Sequence, residues 1–292
     1  MKKVIGVYRN QQMHWVGDGF PVKNLFSYDR LGQAISPFLL LDYAAPYPFD
    51  PTTAQHGVGS HPHRGFETVT LAYSGEVTHK DSSGGGGTIQ TGDVQWMTAG
   101  SGVVHEEFHS PEFAKAGGMF EMVQLWVNLP AKDKMTQPRY QAITRAEIPR
   151  IEMDEGAGHI RVIAGEMGGH HGPAQTFSPV NVWDGELKAN YETQLHVPEG
   201  HNTILVVLNG EVIINGSQKV LDSSMVMFAQ EDTAIQLQAL HNTKFLLLSG
   251  VPLNEPIQGY GPFVMNSKAE IVQAFDDFNR GKFGEIAVNS EA

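Results

Sequence analysis

The first half of the chain alternates short apolar stretches with turn-forming residues, a pattern typical of β proteins. Residues 68–73 form the clearest predicted strand, and a second strand follows the turn at Gly75. The glycine run at 84–87 lacks the Lys-Ser/Thr ending of a phosphate-binding loop, so we interpret it as a hairpin tip. From residue 20 to 130 the pattern therefore predicts a sandwich or a barrel of many short strands.

A comparable pattern returns in the second half. The apolar run at 203–208 is followed by a turn and a second run at 211–214. The tripeptide Gly-Glu-Val occurs at 75–77 and again at 210–212, each time after an apolar strand. Two copies of one β unit are the hypothesis that this recurrence supports, although only three residues are identical.

A segment rich in proline and glycine, residues 131–180, separates the two patterns. We therefore expect an N-terminal domain over residues 1–135 and a connecting segment over 136–180. A C-terminal domain is expected over residues 181–292.

The C-terminal domain is expected to end in an amphipathic helix. Apolar residues recur at helical spacing between positions 271 and 278. Ser267 followed by Glu270 is typical of a helix N-cap, and Gly281 is expected to end the helix. We interpret this helix as structural, packed on the outside of a β core.

Composition narrows the class of protein. The 292 residues are 41% hydrophobic and 18% charged, which is typical of a soluble globular chain. The net charge of −12 argues against direct nucleic-acid binding, since phosphate contacts need clustered positive charge. With no cysteine, disulfides, thiolate nucleophiles and zinc-thiolate sites are excluded. No apolar run approaches the roughly 18 residues of a membrane span, and the start lacks the apolar core of a signal peptide, so we expect a cytoplasmic protein without membrane contact.

Two histidine-containing pairs are the strongest chemical signal. His61 and His63 stand at i and i+2, so in a strand both project from one face, about 7 Å apart. His105 and Glu107 repeat this spacing, while Glu106 points the other way. If the two strands are neighbours, three imidazoles and one carboxylate converge. Solvated surface histidines are the alternative interpretation of an isolated His-x-His.

Such a donor set suits a first-row divalent ion, and four protein ligands would leave two positions of an octahedral metal open. The other histidines near the proposed site are assigned no i, i+2 partner. We interpret His56, His79 and His109 as hydrogen-bonding or exposed residues. His170 and His171 are adjacent, so they would point to opposite faces and are assigned to a solvated loop. The second copy, which has no His-x-His, is expected to be metal-free.

Several blocks resemble the pirin family of the cupin superfamily, and together they cover essentially the whole chain in order. The matching blocks are residues 61–69, 92–100 with the following His105-x-Glu107, 124–130, 252–256, 261–266 and 281–284. Two features depart from the general cupin pattern. The histidine of the second motif stands two residues later, and Glu107 replaces the glutamate of the first motif as ligand. Both departures are themselves similar to pirins.

The resemblance implies an all-β bicupin, that is, two tandem cupin β-barrels (double-stranded β-helices) with a short C-terminal helix. It implies a mononuclear metal, with Fe(II) favoured and Mn, Co, Ni, Cu or Zn acceptable, held by His61, His63, His105 and Glu107. Glu67 is then expected to contact and orient an imidazole rather than the metal. The remaining pocket candidates, for which ordinary core packing is the alternative, are Phe66, Trp96 and Met97.

The same resemblance implies a quercetin 2,3-dioxygenase-type enzyme, which opens a flavonol with O2 and releases carbon monoxide. Glu107 would be the catalytic base for the flavonol hydroxyl. The alternative is a metal-dependent regulatory pirin, a redox-sensing co-regulator that binds a protein partner without a physiological enzyme activity. A metal-free sugar-binding or structural bicupin is disfavoured by the complete ligand set.

Overall fold

Strands dominate the computed structural model, which describes residues 1–287. In the first half, in chain order, the strands are β1 (Val4–Arg9), β2 (His14–Val16), β3 (Phe20–Ser27), β4 (Phe38–Phe49), β5 (Gly57–His63), β6 (Phe66–Ser74), β7 (Val77–Asp81), β8 (Gly86–Ile89), β9 (Val94–Thr98), β10 (Val103–His109), β11 (Gly118–Asn128) and β12 (Arg139–Ile143). In the second half they are β13 (Arg150–Glu152), β14 (Gly158–Ala164), β15 (Glu166–Met167), β16 (His170–His171), β17 (Val180–Leu187), β18 (Glu192–His196), β19 (Asn202–Asn209), β20 (Glu211–Ile214), β21 (Gln218–Leu221), β22 (Ser224–Phe228), β23 (Ala234–Ala239), β24 (Thr243–Gly250), β25 (Gln258–Tyr260) and β26 (Phe263–Met265). The helices are α1 (Tyr28–Leu31), α2 (Pro111–Ala116) and α3 (Lys268–Asn279), and short 3₁₀ turns occupy Gly32–Ile35, Ala131–Asp133 and Asp154–Gly156.

The chain folds into two compact units, and neither is continuous in sequence. The unit that we call the C-terminal unit comprises Met1–Gln12, Lys23–Tyr43 and Ala146–Leu253. The N-terminal unit comprises Met13–Val22, Ala44–Arg145 and the chain from Asn254 onwards.

This division differs from the contiguous ranges 1–135, 136–180 and 181–292 that the sequence predicts. The first strand, β1, belongs to the C-terminal unit because it pairs antiparallel with β22. Helix α3, expected in the C-terminal domain, belongs to the N-terminal unit. Hydrophobic patterning indicates which face of an element is buried but not which distant element covers it. It therefore cannot predict that β1 and α3 each belong to the unit formed mainly by the other half of the chain.

The C-terminal unit is built from two antiparallel sheets. Its seven-stranded sheet has the order β1-β22-β19-β24-β17-β14-β13, and its four-stranded sheet the order β18-β23-β20-β21. Apolar side chains from both sheets, including Trp183, Leu205 and Leu237, form one buried cluster. The interior of this unit is therefore filled with hydrocarbon side chains, which contribute to stability in proportion to the apolar area removed from water.

The N-terminal unit contains the other pair of large sheets. A seven-stranded sheet has the order β12-β9-β6-β11-β4-β3-β2, and strands β3 and β4 have part of their residues in each unit. A four-stranded sheet has the order β5-β10-β7-β8. The latter carries both histidine-containing pairs that the sequence singled out.

Helix α3 confirms the predicted C-terminal helix. The Ser267 hydroxyl accepts a hydrogen bond from the backbone N–H of Glu270, so Ser267 is the N-cap. Ile271 and Ala274 are buried against Val104 and other apolar residues of the N-terminal unit. No helix within residues 1–287 combines the length and the apolar character that crossing a membrane requires.

Candidate metal centre

Three neighbouring strands, β5, β10 and β7, each place two histidine or carboxylate side chains on one face of the four-stranded sheet. His105 is the Cα partner of His61 on one side and of Asp81 on the other. Glu107 pairs with His79. Because residues at i and i+2 share a face, each strand contributes one pair to this surface. The pairs are His61 with His63, His105 with Glu107, and His79 with Asp81.

Three of the predicted ligands meet at one point. The ring centroids of His61 and His105 are 4.2 Å apart, those of His63 and His105 4.8 Å, and those of His61 and His63 4.9 Å. One potential ligand atom from each ring lies within 4.8 Å of the other two. His63 and His105 are buried, while His61 is only half-buried at the rim. This triad could hold a metal ion.

Hydrogen bonds orient the rings for such a role. The Nδ1–H of His61 donates to the carbonyl of Gly59 at 2.8 Å, and that of His63 to the carbonyl of Pro262 at 3.2 Å. With Nδ1 protonated in a neutral ring, Nε2 keeps its lone pair. The Nε2 atom of His105 is buried without a hydrogen-bond partner among residues 1–287. Buried polar atoms are normally satisfied, so an orphaned nitrogen beside two free lone pairs fits a bound cation.

Burial keeps the inner rings neutral. It lowers the pKa of His63 to about 3, with a further decrease from the neighbouring His61. The pKa of His105 is also lowered well below its usual range, first by burial and then by the adjacent imidazoles. A neutral imidazole is the form that binds a metal, so both rings are in the ligating form at physiological pH.

The Glu107 carboxylate is not part of the group of potential ligand atoms formed by His61, His63 and His105. Its carboxylate forms a second potential ligand group with His79 and His105. Oε1 accepts a hydrogen bond from the side-chain amide of Gln95, and the Thr70 hydroxyl is 3.4 Å away. Glu107 shares a face with the triad, and its role as the fourth ligand stays a prediction.

A β-bulge in β5 lies opposite Glu107. His105 pairs with His61, but Glu107, two residues later, pairs with Val58, three residues earlier on β5. The extra residue lies in the segment of Gly59 and Ser60 and interrupts the ladder. On the other side of β10, where the register is regular, Glu107 pairs with His79 of β7.

The predicted pocket residues are divided between the two faces of the larger sheet. The Phe66 ring is 5.1 Å from His63 and 4.3 Å from Trp126, so both aromatic rings flank the triad. Strand alternation places Met97 on the same face as Gln95, the residue that contacts Glu107. Trp96 follows the opposite alternation and lies on the other face.

Glu67 also lies on that other face, away from Phe66. Its Oε1 accepts a hydrogen bond from the Thr98 hydroxyl at 2.7 Å. Burial raises the pKa of Glu67 to about 7, although the bond from Thr98 acts in the opposite direction. The predicted partner of Glu67 was an imidazole of the site, whereas the structure pairs it with a threonine.

His79 and Asp81 are the residues that sequence reasoning missed. Both are buried, and the Nε2–H of His79 donates to Oδ2 of Asp81 at 3.1 Å. The His79 ring centroid is 5.1 Å from that of His105. A usable signal was present, because His79-Lys80-Asp81 has the same i, i+2 spacing as His105 and Glu107, so the expectation that His79 has no such partner was wrong.

The remaining histidines follow the sequence interpretation. His56 hydrogen-bonds to Asp18, and the buried His109 donates to the carbonyl of Gly19. His170 and His171 are exposed, although they form a two-residue strand rather than a loop.

Comparisons with known proteins identify the family of this chain. The family model for pirin matches residues 19–127, and the model for the pirin C-terminal cupin domain matches residues 182–284. The chain belongs to the pirin family. The two matches also confirm the predicted bicupin fold, with one cupin-type domain for each half.

One similar protein and two solved structures can be compared with this chain individually. A Pseudomonas aeruginosa protein, provisionally named a quercetin 2,3-dioxygenase, is 56% identical over 97% of this chain and 99% of its own. The crystal structure of a quercetin 2,3-dioxygenase from Acinetobacter baumannii is 66% identical, with a TM-score of 0.97 over 98% of this chain and 100% of that one. An Escherichia coli pirin, solved in complex with nickel(II), is 20% identical with a TM-score of 0.63, covering 85% of this chain and 99% of that one, and shows the shared fold alone.

Proposed function

We propose that this pirin is a metal-dependent dioxygenase that opens flavonols such as quercetin with O2 and releases carbon monoxide. The observation that carries the proposal is the convergence of three oriented imidazoles, one of which has a buried nitrogen without a partner. The names of the similar Pseudomonas and Acinetobacter proteins support the substrate class.

His61, His63 and His105 would hold the ion, with Glu107 as the fourth ligand. Nitrogen and oxygen donors of this kind suit a first-row divalent metal, and we infer Fe(II), with Mn, Co, Ni, Cu and Zn as alternatives. When bound, the metal would act as a Lewis acid and a template for the flavonolate and O2.

Glu107 would accept the proton of the flavonol hydroxyl. The side-chain amide of Gln95 donates to Oε1 of Glu107, which orients the carboxylate. Of the two lone pairs on Oε2, one would bind the metal and the other would accept the substrate proton. The hydroxyl of Tyr140 donates to Oε1 of Gln95 at 3.3 Å, so the amide is itself held in place. Proton removal then prepares the substrate for ring opening. Both atoms of O2 enter the product, and the carbon that bears the hydroxyl leaves as carbon monoxide.

Trp126 would recognise the substrate rings, with the fully buried Phe66 ring packed against it. Their side chains are inclined by 33° to each other and lie beside His63. Flat apolar surfaces of this kind bind aromatic ligands and exclude water from the reacting atoms.

The test is turnover of quercetin by protein reconstituted with Fe(II) under anaerobic conditions and then given O2. We expect flavonol loss and carbon monoxide release in equal amounts, both dependent on the metal. His63→Ala should lower metal content and abolish this activity without unfolding the protein, because it removes one of three nitrogen ligands. Circular dichroism checks the fold.

Two outcomes would contradict the proposal. Full metal occupancy and full activity in His63→Ala would exclude the triad as the site. No turnover in wild-type protein with demonstrated iron content would exclude the dioxygenase activity and favour the alternative, a metal-dependent regulatory pirin with a protein partner.

A further inference from the structure

His105 differs from the other two histidines of the triad in how its ring is held. His61 and His63 each donate from Nδ1 to a backbone carbonyl. His105 lies on β10, between β5 and β7, and the partner of its Nδ1 is the Nδ1 of His79 at 3.4 Å. Two neutral imidazoles can share such a contact only if one nitrogen carries the hydrogen and the other accepts it.

Asp81 determines the direction of this bond. Its Oδ2 faces Nε2 of His79 at 3.1 Å, and a carboxylate oxygen can only accept. His79 therefore carries its hydrogen on Nε2 and offers a lone pair at Nδ1. His105 must then donate from Nδ1, which leaves the lone pair of its Nε2 directed at the triad.

We propose that Asp81 and His79 form a hydrogen-bonded relay that fixes the tautomer of His105 and so keeps its Nε2 available to a metal. The inference rests on the metal centre of the proposed function and concerns residues that are not themselves ligands in that proposal. Both are positioning residues, since they would act through His105. Partners of this kind, which orient a metal-bound histidine, typically change metal affinity when they are replaced.

The surroundings of Asp81 make the relay rigid. Oδ1 accepts hydrogen bonds from the backbone N–H of Ser83 at 2.8 Å, from its hydroxyl at 2.6 Å, and from the backbone N–H of Gly85 at 2.9 Å. Only Oδ2 of Asp81 is thus left to accept the hydrogen bond from His79.

The Tyr140 ring stacks on His79 with ring centroids 4.8 Å apart and an interplanar angle of 19°, which holds the plane of the imidazole. His79 Nδ1 is 4.0 Å from Oε1 of Glu107, too far for a hydrogen bond.

Asp81→Asn is the decisive variant because the three donors at Oδ1 also fix the orientation of an amide. The carbonyl oxygen must occupy the Oδ1 position, so the NH₂ group points at Nε2 of His79. That nitrogen then accepts, the hydrogen of His79 moves to Nδ1, and Nδ1 of His105 becomes the acceptor. The hydrogen of His105 moves to Nε2, the position needed for the metal. We expect Zn(II) affinity to fall about 10- to 100-fold.

Glu106→Gln is the matched control. Glu106 lies between His105 and Glu107 on β10 but points to the other face of the sheet. The substitution removes one negative charge from the same sheet without touching the relay. Zn(II) affinity should stay within about twofold of the wild type, since the half-buried Glu106 contacts neither His79 nor Asp81 and solvent screens part of its charge.

A second pair of variants tests His79. His79→Leu removes the acceptor and should weaken Zn(II) binding to the same degree as Asp81→Asn. His79→Asn places a side-chain oxygen near the former Nδ1 position, so it should restore most of the affinity. Rescue by asparagine separates the relay from metal ligation by His79 and from a packing role, neither of which an asparagine would restore.

The tautomer itself is measured by ¹⁵N NMR of the metal-free protein, with the His105 signal assigned through its loss in His105→Gln. We expect the hydrogen on Nδ1 in wild type and in Glu106→Gln, and on Nε2 in Asp81→Asn. An unchanged tautomer in Asp81→Asn, or an affinity equal to that of Glu106→Gln, would overturn the proposal.

Zn(II) binding and the tautomer of His105 together distinguish failure of the proposed metal centre from failure of the relay. If the wild type binds no Zn(II) in competition with a chromophoric chelator, the metal centre of the proposed function fails. If the wild type binds and the Asp81 and His79 variants bind equally well, only the relay fails. The tautomer of His105 can be measured in either case.

Discussion

Glu67 and Glu107 are both buried carboxylates of the N-terminal unit, but they contact different residues. Glu107 contacts the amide of Gln95 and lies on the face of the triad. Glu67 lies on the opposite face of its strand and has a neutral hydroxyl, that of Thr98, as its hydrogen-bond donor. Loss of hydration outweighs that bond, so the pKa of Glu67 is raised to about 7.

The raised pKa of Glu67 predicts a stability that falls as pH rises. In the unfolded chain the carboxyl loses its proton near its usual pKa of 4.5, but in the folded protein it does so near 7. Its favourable contribution is therefore fully present below about pH 4.5 and lost as pH rises through 7. A difference of this size corresponds to about 3 kcal/mol.

Glu67→Gln should remove this dependence, because an amide does not titrate. We expect the free energy of unfolding in urea to fall less between about pH 5 and pH 9 in Glu67→Gln than in wild type. Glu106→Gln, a change of the same kind at a half-buried position of β10, should keep the wild-type slope. Parallel curves for wild type and Glu67→Gln would show that Glu67 is ionised in the folded protein throughout.

Sequence reasoning identified the three histidines of the triad but not the full arrangement around them. The i, i+2 spacing is a property of any strand, so the convergence of His61, His63 and His105 needed only neighbouring strands. The pairing of Glu107 with Val58 depends on the bulge at Gly59 and Ser60, which no local sequence pattern predicts. The relay through His79 depends on β7 lying beside β10, which is a pairing between distant segments.

At the scale of elements, helix α3 is attached to the N-terminal unit by one buried ion pair as well as by apolar contacts. Nη1 of Arg64 lies 2.9 Å from Oδ2 of Asp277, and both side chains are nearly inaccessible to solvent. Nε of Arg64 donates to the carbonyl of Ser101 at 2.7 Å. Since Arg64 directly follows His63, this pair also links the helix to the strand that carries two of the predicted ligands.

Asp277→Ala should therefore be strongly destabilising. It leaves the guanidinium of Arg64 buried without its carboxylate, at a cost of about 3 kcal/mol. Asp276→Ala is the matched control, because Asp276 forms an exposed pair with Arg280 one helical turn away. That pair should contribute about 0.5 kcal/mol or less. Urea unfolding measures both values, and equal losses for the two variants would contradict a structural role for the Arg64–Asp277 pair.

The amphipathic pattern predicted the existence and the cap of α3 correctly. Its apolar residues define the face that is buried, and Ser267 has the predicted contact with Glu270. The pattern could not indicate that Val104 of β10 would lie under that face. The spacing requires only that some apolar surface cover this face of the helix, so it could not predict that the helix packs on the N-terminal unit.

At the scale of the whole molecule, the two halves share an architecture but differ in their interiors. Each unit contains one seven-stranded and one four-stranded sheet. The four-stranded sheet of the N-terminal unit presents histidines and carboxylates, whereas that of the C-terminal unit contributes apolar residues to the buried cluster. The weak Gly-Glu-Val repeat agrees with this duplication of the sheets.

The most direct test of the metal centre is anomalous X-ray diffraction from crystals of the Fe(II)-loaded protein, recorded on both sides of the iron absorption edge. We predict one strong peak per chain, about 2.1 Å from the Nε2 atoms of His61, His63 and His105. The account would be contradicted by a peak among His79, His105 and Glu107 or by a peak in the C-terminal unit. It would also be contradicted by the absence of any peak in protein that still turns over quercetin when loaded with iron.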